Sequence, residues 1–326
     1  MKNKFGLITY EGITYPKTNI VNVGDYIQSI AARQFLPQVD TLVSREGLQS
    51  YNGENIKMIM NAWYMANPTH FPPSPKIDPL YVSIHINSRI KDVMLSPETI
   101  AHFKKHEPIG CRDEYTANLL RDKGVEAYFT ACMTLTLGKT FKRDKPNDEI
   151  YIVDPMFDSY TISELLKSPV QLLRRIYRRR LKEYNWRENV LNSFFTKELL
   201  TKAKYITQLA EDAPSEQGFK IAEDYLNKLR NAKLVITSRI HCALPCLAMG
   251  VPVIFIQGGF AAKVDNCRFD GIVDFFNRID VDLSGKGHLS FKHDGKIGID
   301  SKITNQDSHV TYAKALEKKV QDFVNQ

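Results

Sequence analysis

Residues 232–257 read A-K-L-V-I-T-S-R-I-H-C-A-L-P-C-L-A-M-G-V-P-V-I-F-I-Q, and the order of signals in them decides the fold. An apolar, β-branched run over 233–237 predicts a strand. Ser238, Arg239, Ile240 and His241 make the turn, and 242–249 carry a helical apolar pattern. Pro245 is expected in that helix's first turn, where a missing N–H costs little. Gly250 stops the helix and 251–256 open the next strand at once. A strand, a helix and a strand in such quick succession form a βαβ unit, which needs a parallel sheet.

The turn is also the most informative point chemically. A helix N-terminus presents unpaired N–H groups and the positive end of the helix dipole. Arg239 and His241 at that end add cationic and donor groups suited to a phosphate or carboxylate. A glycine turn, Gly258-Gly259, follows the next strand and leads to Lys263, which extends the same cationic pocket. The plain alternative has Arg239 paired to an acidic neighbour and His241 packed on the helix. Clustering at the strand–helix switch favours the ligand site, because open α/β sheets bind ligands beyond the carboxyl ends of their strands.

Working outward, strands are predicted over 4–10, 57–61, 81–86, 108–111 and 127–130, and helices over 24–35, 97–105 and 113–123. A polar stretch over 139–148 reads as a linker. Beyond it come strands over 149–153 and 204–208, a helix over 216–231, and a last helix over 311–324. The fold class is therefore α/β, with two Rossmann-like lobes about a central cleft. The division runs 1–140 for an acceptor-side lobe, 149–305 for a donor-side lobe, and 306–326 for a C-terminal helix packing back on the first. In the first lobe Arg112 stands at the mouth of a helix that Asp113 or Thr116 caps. Near the N-terminus, Asp25 and Gln28 read as a capping box opening another helix. Gly24 permits close backbone approach there.

The chain has 326 residues, 43% apolar and 25% charged, ordinary values for a globular protein with more than one core. A net charge of +7 favours anionic partners without choosing among them. Five scattered cysteines include no CxxC pair, so reduced, mostly buried thiols are expected and no metal set is legible. The N-terminus lacks the apolar core of a signal peptide, and no apolar run is long enough to span a bilayer; both predict a cytoplasmic protein.

Four segments resemble the polysaccharide pyruvyl transferase family: N-V-G-D-Y-I-Q-S at 22–29, I-G-C-R-D-E-Y-T at 109–116, C-M-T-L-T-L at 132–137, and I-T-S-R-I-H-C-A-L-P-C-L-A-M-G-V-P-V-I-F at 236–255. The last is the most diagnostic. The resemblance implies a glycosyltransferase-B-like fold, phosphoenolpyruvate as donor with no separate cofactor, and a cyclic pyruvate ketal on a sugar as product. Arg112, Ser238, Arg239, His241 and Lys263 match the donor-binding set by position. His241 is the candidate general acid, or else a phosphate ligand. Asp25, His70 and His85 are candidates for the acceptor-side base, with Asp25 carried as catalytic.

Over 167–187, Arg174, Arg175, Arg178, Arg179, Arg180 and Lys182 interleave with apolar residues at helical spacing. That pattern is either a solvated face or a peripheral membrane contact, where a lipid-linked glycan acceptor would be met. No nucleic-acid module accompanies the charge. A nucleotide-sugar glycosyltransferase of the same two-lobed fold is the alternative enzyme, with Glu211 or Asp212 as its ribose-binding acid. A non-catalytic binding protein of a polysaccharide locus is the alternative outside enzymes, and the presence of both Arg239 and His241 argues against it.

Overall fold

The computed structural model describes residues 3–159, 162–177, 183, 185–258 and 267–326. Its first half runs β1 (Phe5–Thr9), β2 (Ile20–Asn22), α1 (Val23–Arg33), β3 (Thr41–Ser44), β4 (Ile56–Met60), β5 (Trp63–Tyr64), β6 (Ile77–Tyr81), β7 (His85–Ile86), α2 (Lys91–Met94), α3 (Pro97–Lys105), β8 (Ile109–Cys111), α4 (Glu114–Arg121) and β9 (Ala127–Phe129). A 3₁₀ segment, Met133–Lys139, follows. The second half runs β10 (Ile150–Val153), α5 (Ile162–Leu166), α6 (Pro169–Tyr177), α7 (Trp186–Phe194), α8 (Lys197–Lys202), β11 (Lys204–Ile206), β12 (Leu209–Glu211), α9 (Ser215–Leu229), β13 (Leu234–Thr237), α10 (Ile240–Met249), β14 (Val253–Gln257), β15 (Asn277–Val281), β16 (Gly287–Leu289) and α11 (His309–Asn325).

Two mainly parallel sheets organise these elements into a mixed α/β, Rossmann-like architecture. The first has the order β3-β1-β4-β6, and the second β11-β10-β13-β14-β15-β16. In each, the chain leaves a central strand toward one edge and returns on the other side. The switch points therefore lie between β1 and β4, and between β10 and β13, where crevices open at the carboxyl ends of the strands.

Alternation along the second sheet assigns its two faces. Ile150 and Ile152 of β10, Leu234 and Ile236 of β13, and Ile254 and Ile256 of β14 point to a core shared with Trp186, Val190, Leu191 and Leu199 of α7 and α8. The intervening Tyr151, Val153, Val235, Val253 and Phe255 face a different, larger core. That larger core is continuous with the first sheet, taking in Leu7, Met58 and Val43 together with residues of α9, α10 and α11. α10 is buried on nearly every side. A helix apolar all round belongs inside a protein.

The halves are joined further by antiparallel pairing of β2 with β12, by Arg33 with Glu223, and by Thr9 Oγ1 with Ser215 Oγ at 2.6 Å. α11 lies on the first half: Lys57 Nζ donates to the Phe323 carbonyl at 2.7 Å, and the Tyr312 ring meets Phe129 edge-on.

The structure corrects several expectations. The strand expected over 81–86 is not continuous: β6 ends at Tyr81 and β7 holds only His85–Ile86, because Ser83 takes a left-handed conformation at φ 55° and interrupts the ladder. α10 begins at Ile240, so Pro245 sits inside the helix rather than in its first turn. The His241 carbonyl therefore has no i+4 N–H to accept, and surrounding burial holds the helix together. α7, α8, β15 and β16 were not foreseen; α7 and α8 are organised by packing against the second sheet, and β15 and β16 by pairing into its edge.

Candidate active site

A cleft of about 590 Å³ opens between the two sheets, lined from the first half by Asn22, Asp25, Arg45, Trp63, His85 and Arg112 and from the second by Phe157, Ser238, Arg239, His241 and Arg268. Its size falls within the range of about 300–1,000 Å³ usual for small-molecule sites.

The second-sheet wall is built at the β10–β13 switch point. After β10 the chain turns through Asp154 and Met156, both in left-handed conformations at φ 43° and 45°. Such strain in non-glycine residues persists where surrounding bonds over-determine it, and here they do. Asp154 Oδ2 accepts from Arg239 Nε at 2.8 Å and from the Gln208 N–H at 3.0 Å. Met156 N–H donates to Ser238 Oγ at 2.8 Å. Ser238 Oγ in turn donates to the Ile256 carbonyl at 2.7 Å. Ser238 thus lines the cleft with its hydroxyl committed to holding the two strand ends together.

The Asp154 bond occupies Arg239 Nε, and the guanidinium lies over the Phe157 ring at 3.9 Å. The acid pairing weighed as the bland alternative is real, but it orients the planar fork within the cleft. His241 stands in the first turn of α10, buried, and its Nε2 has no hydrogen-bond partner among the described residues. Burial holds its imidazole well below the ordinary value, and the charges of Arg112 and Arg268 push the same way. It is therefore neutral at pH 7.

The first-half wall holds a pair that sequence reasoning had separated. Asp113 caps α4, accepting from Thr116 N–H at 2.9 Å. Its other oxygen meets His85 Nδ1 at 2.7 Å. Burial alone would raise the Asp113 carboxyl, but His85, Arg112 and Thr116 hold it below its usual range. Burial lowers His85 in spite of Asp113. An ionised Asp113 fixes the proton on Nδ1, leaving Nε2 as the acceptor; that atom is buried and unpaired among the described residues.

Asp25 differs from its expected part. The cap of α1 is Asn22, whose side chain accepts from Gly24 N–H at 3.0 Å, so capping does not account for Asp25. It lies in the first turn, facing the cleft, with its carboxyl raised by burial against the pull of Arg45, Arg112 and Arg239. His70 is elsewhere, bonded to the Glu46 carbonyl at 2.9 Å and to Asn67. Asp212 is bound by Gly12 N–H at 3.0 Å, and Glu211 is exposed on β12. Lys263, Gly259, Arg178, Arg179, Arg180 and Lys182 lie outside the described residues.

Arg45, Arg89 and Arg268 also line the cleft. No local motif marks them. Arg45 is almost wholly buried, stacked over Trp63 at 4.5 Å and bonded through Nε to Glu46, with Nη1 unpaired among the described residues. Arg112 Nε is likewise buried and, among the described residues, has no hydrogen-bond partner, with Asp113 Oδ2 beside it at 3.7 Å. Buried donors without hydrogen bonds are costly, and their convergence on one cleft points to an anionic ligand that completes them.

A model of the polysaccharide pyruvyl transferase family matches residues 22–258. The chain belongs to the polysaccharide pyruvyl transferase family. The match starts at the α1 cap and ends at Gly258, enclosing Asp25, His85, Arg112, Asp113, Arg239 and His241. Membership supports pyruvyl transfer in polysaccharide biosynthesis and implies a polysaccharide acceptor. Comparison with curated proteins finds no match. Among the described residues, no helix is long and apolar enough to cross a membrane.

Proposed function

We propose that this pyruvyl transferase moves the pyruvyl unit of phosphoenolpyruvate onto two hydroxyls of one sugar, in a polysaccharide or its lipid-linked precursor, closing a cyclic ketal and releasing phosphate. The observation that carries the reading is the convergence of Arg45, Arg89, Arg112, Arg239 and Arg268 with two neutral histidines on one cleft. A donor bearing both a carboxylate and a phosphate calls for several cations at once, and arginine forks bind either anion bidentately. A glycosyltransferase-B-like division fits, with the donor held where the two sides meet. The proposal calls on no further cofactor, because the donor carries its own leaving group.

In the reaction a proton is delivered to the methylene carbon of the enol, making C2 electrophilic. One sugar hydroxyl attacks C2 as His85 Nε2 takes its proton, with Asp113 holding the imidazole in register. The C2–O bond to phosphate then breaks, and the second hydroxyl closes the ring. Of the two hydroxyl protons released, one balances the new methyl group and the other leaves on phosphate. His241 is the proton carrier on the donor side: neutral in the free cleft, it gains basicity when a phosphate dianion arrives beside it. Asp25 also lines the cleft, and the His85–Asp113 pair is favoured as base because Asp113 fixes Nε2 as the acceptor of a ring that lines the cleft.

The test is incubation with phosphoenolpyruvate and a cell-surface glycan fraction, following phosphate release and the methyl signal of a pyruvate ketal by NMR. Phosphate release coupled to that methyl signal is expected. Transfer of a sugar from a nucleotide sugar, with phosphoenolpyruvate inert, would replace this reading with the glycosyltransferase one.

A further inference from the structure

We infer that the α5–α6 segment docks the protein on an anionic lipid bilayer, independently of the reaction proposed above. α6 carries Val170, Leu173 and Tyr177 at i, i+3 and i+7, with 75%, 66% and 89% of their surfaces exposed. Ile176 and, from α5, Leu166 extend this apolar patch, and both are exposed. Soluble surfaces scatter single apolar residues; a helical stripe of them, outward and uncovered, marks a surface made to be buried.

The segment is nevertheless held firmly from beneath. Leu165 is buried. Arg175, on the opposite side of α6 from the stripe, is buried and donates to Glu183 at 3.1 Å and to the Asp158 carbonyl. Arg187 bonds Glu164 and the Ser159 carbonyl. α6 is thus fixed in an orientation that leaves its apolar face outward.

Charge identifies the occupant. From Lys167 to Lys182 the sequence holds seven basic residues and no acidic one, and of these Arg175 is neutralised by Glu183. Lys167 and Arg174 are exposed beside the stripe. Cations flanking exposed aliphatic and tyrosine side chains suit the interface of a bilayer with anionic headgroups: the apolar face enters the acyl boundary while lysine and arginine meet phosphates. Nucleic acid would satisfy the cations and leave the stripe in water. The buried side of α6 adjoins the cleft, since Asp158, which Arg175 grips, follows directly on Phe157 of the cleft wall.

Co-sedimentation of the full chain with equimolar phosphatidylglycerol and phosphatidylcholine vesicles, against phosphatidylcholine alone, tests this. Binding to the anionic vesicles is expected, weakened by salt and by about tenfold in Val170→Asp/Leu173→Asp. That variant keeps its circular dichroism and its affinity for phosphoenolpyruvate. Absence of wild-type binding to the anionic vesicles overturns the inference. So does binding that the apolar variant retains in full, which would reduce the segment to a general polyanion site. Vesicle binding is read without donor, so failure of the pyruvyl reading would leave it standing.

Discussion

His241 and His85 face the same cleft, and both are held neutral by burial. For His241 the folded value lies below the ordinary 6.5, so the unfolded chain binds more protons between the two. Its contribution to stability is therefore full above that pH and lost as pH falls below it. A phosphate dianion reverses the field around the ring. Phosphoenolpyruvate binding near pH 7 should draw a proton onto the site, seen as a dependence of the calorimetric enthalpy on buffer ionisation. His241→Gln should remove that proton uptake; uptake unchanged in the variant would assign it to another group. At the first-half wall, His85→Ala and Asp113→Asn should each lower kcat by about 10²–10⁴-fold while donor affinity changes little. Equal losses in donor affinity would make the pair a donor ligand instead of a base.

At the scale of elements, the site is set by how closely the N-termini of α1 and α10 approach each other. A Cβ on Gly24 would meet Gln208 Nε2 at 2.2 Å and the His241 Cβ at 3.0 Å. Gly24→Ala should cost roughly 1–3 kcal/mol of stability and also weaken donor binding, because the clash acts on His241 directly. Gly138 offers the contrast: its Cβ would meet the Ala248 carbonyl at 2.0 Å, at the far end of α10. Gly138→Ala should destabilise the protein comparably but leave donor binding per folded molecule unchanged, as thermal melting alongside calorimetry would show. Much of this geometry was legible in sequence. The run from Leu234 to Val253 announced its strand–helix–strand order, because each boundary has a local cause. The cap of α1 was misplaced from Asn22 to Asp25, since both residues are competent caps and only the tertiary contact of Asn22 with Gln208, at 2.9 Å, distinguishes them.

For the whole molecule, the cleft exists because two switch points face each other across a shared core. The Arg239–His241 side of the site was legible from a single turn. The first-half side was not: His85 and Asp113 are 28 residues apart and meet only because Ile84 bridges to Cys111 beside β7 and β8. Arg45 and Arg268 join the cleft through long-range packing that leaves no mark in local spacing. The same concentration of cations predicts that donor affinity falls with ionic strength, by more than a single ion pair would give.

The most direct test of the pyruvyl-donor assignment is a calorimetric titration of phosphoenolpyruvate into the wild-type protein and into Arg112→Ala/Arg239→Ala, with a glycan acceptor fraction present. Saturable binding to the wild type that the double variant loses, with its fold intact, is the predicted result. A wild-type protein that ignores phosphoenolpyruvate yet binds a nucleotide sugar in the same cleft would contradict it.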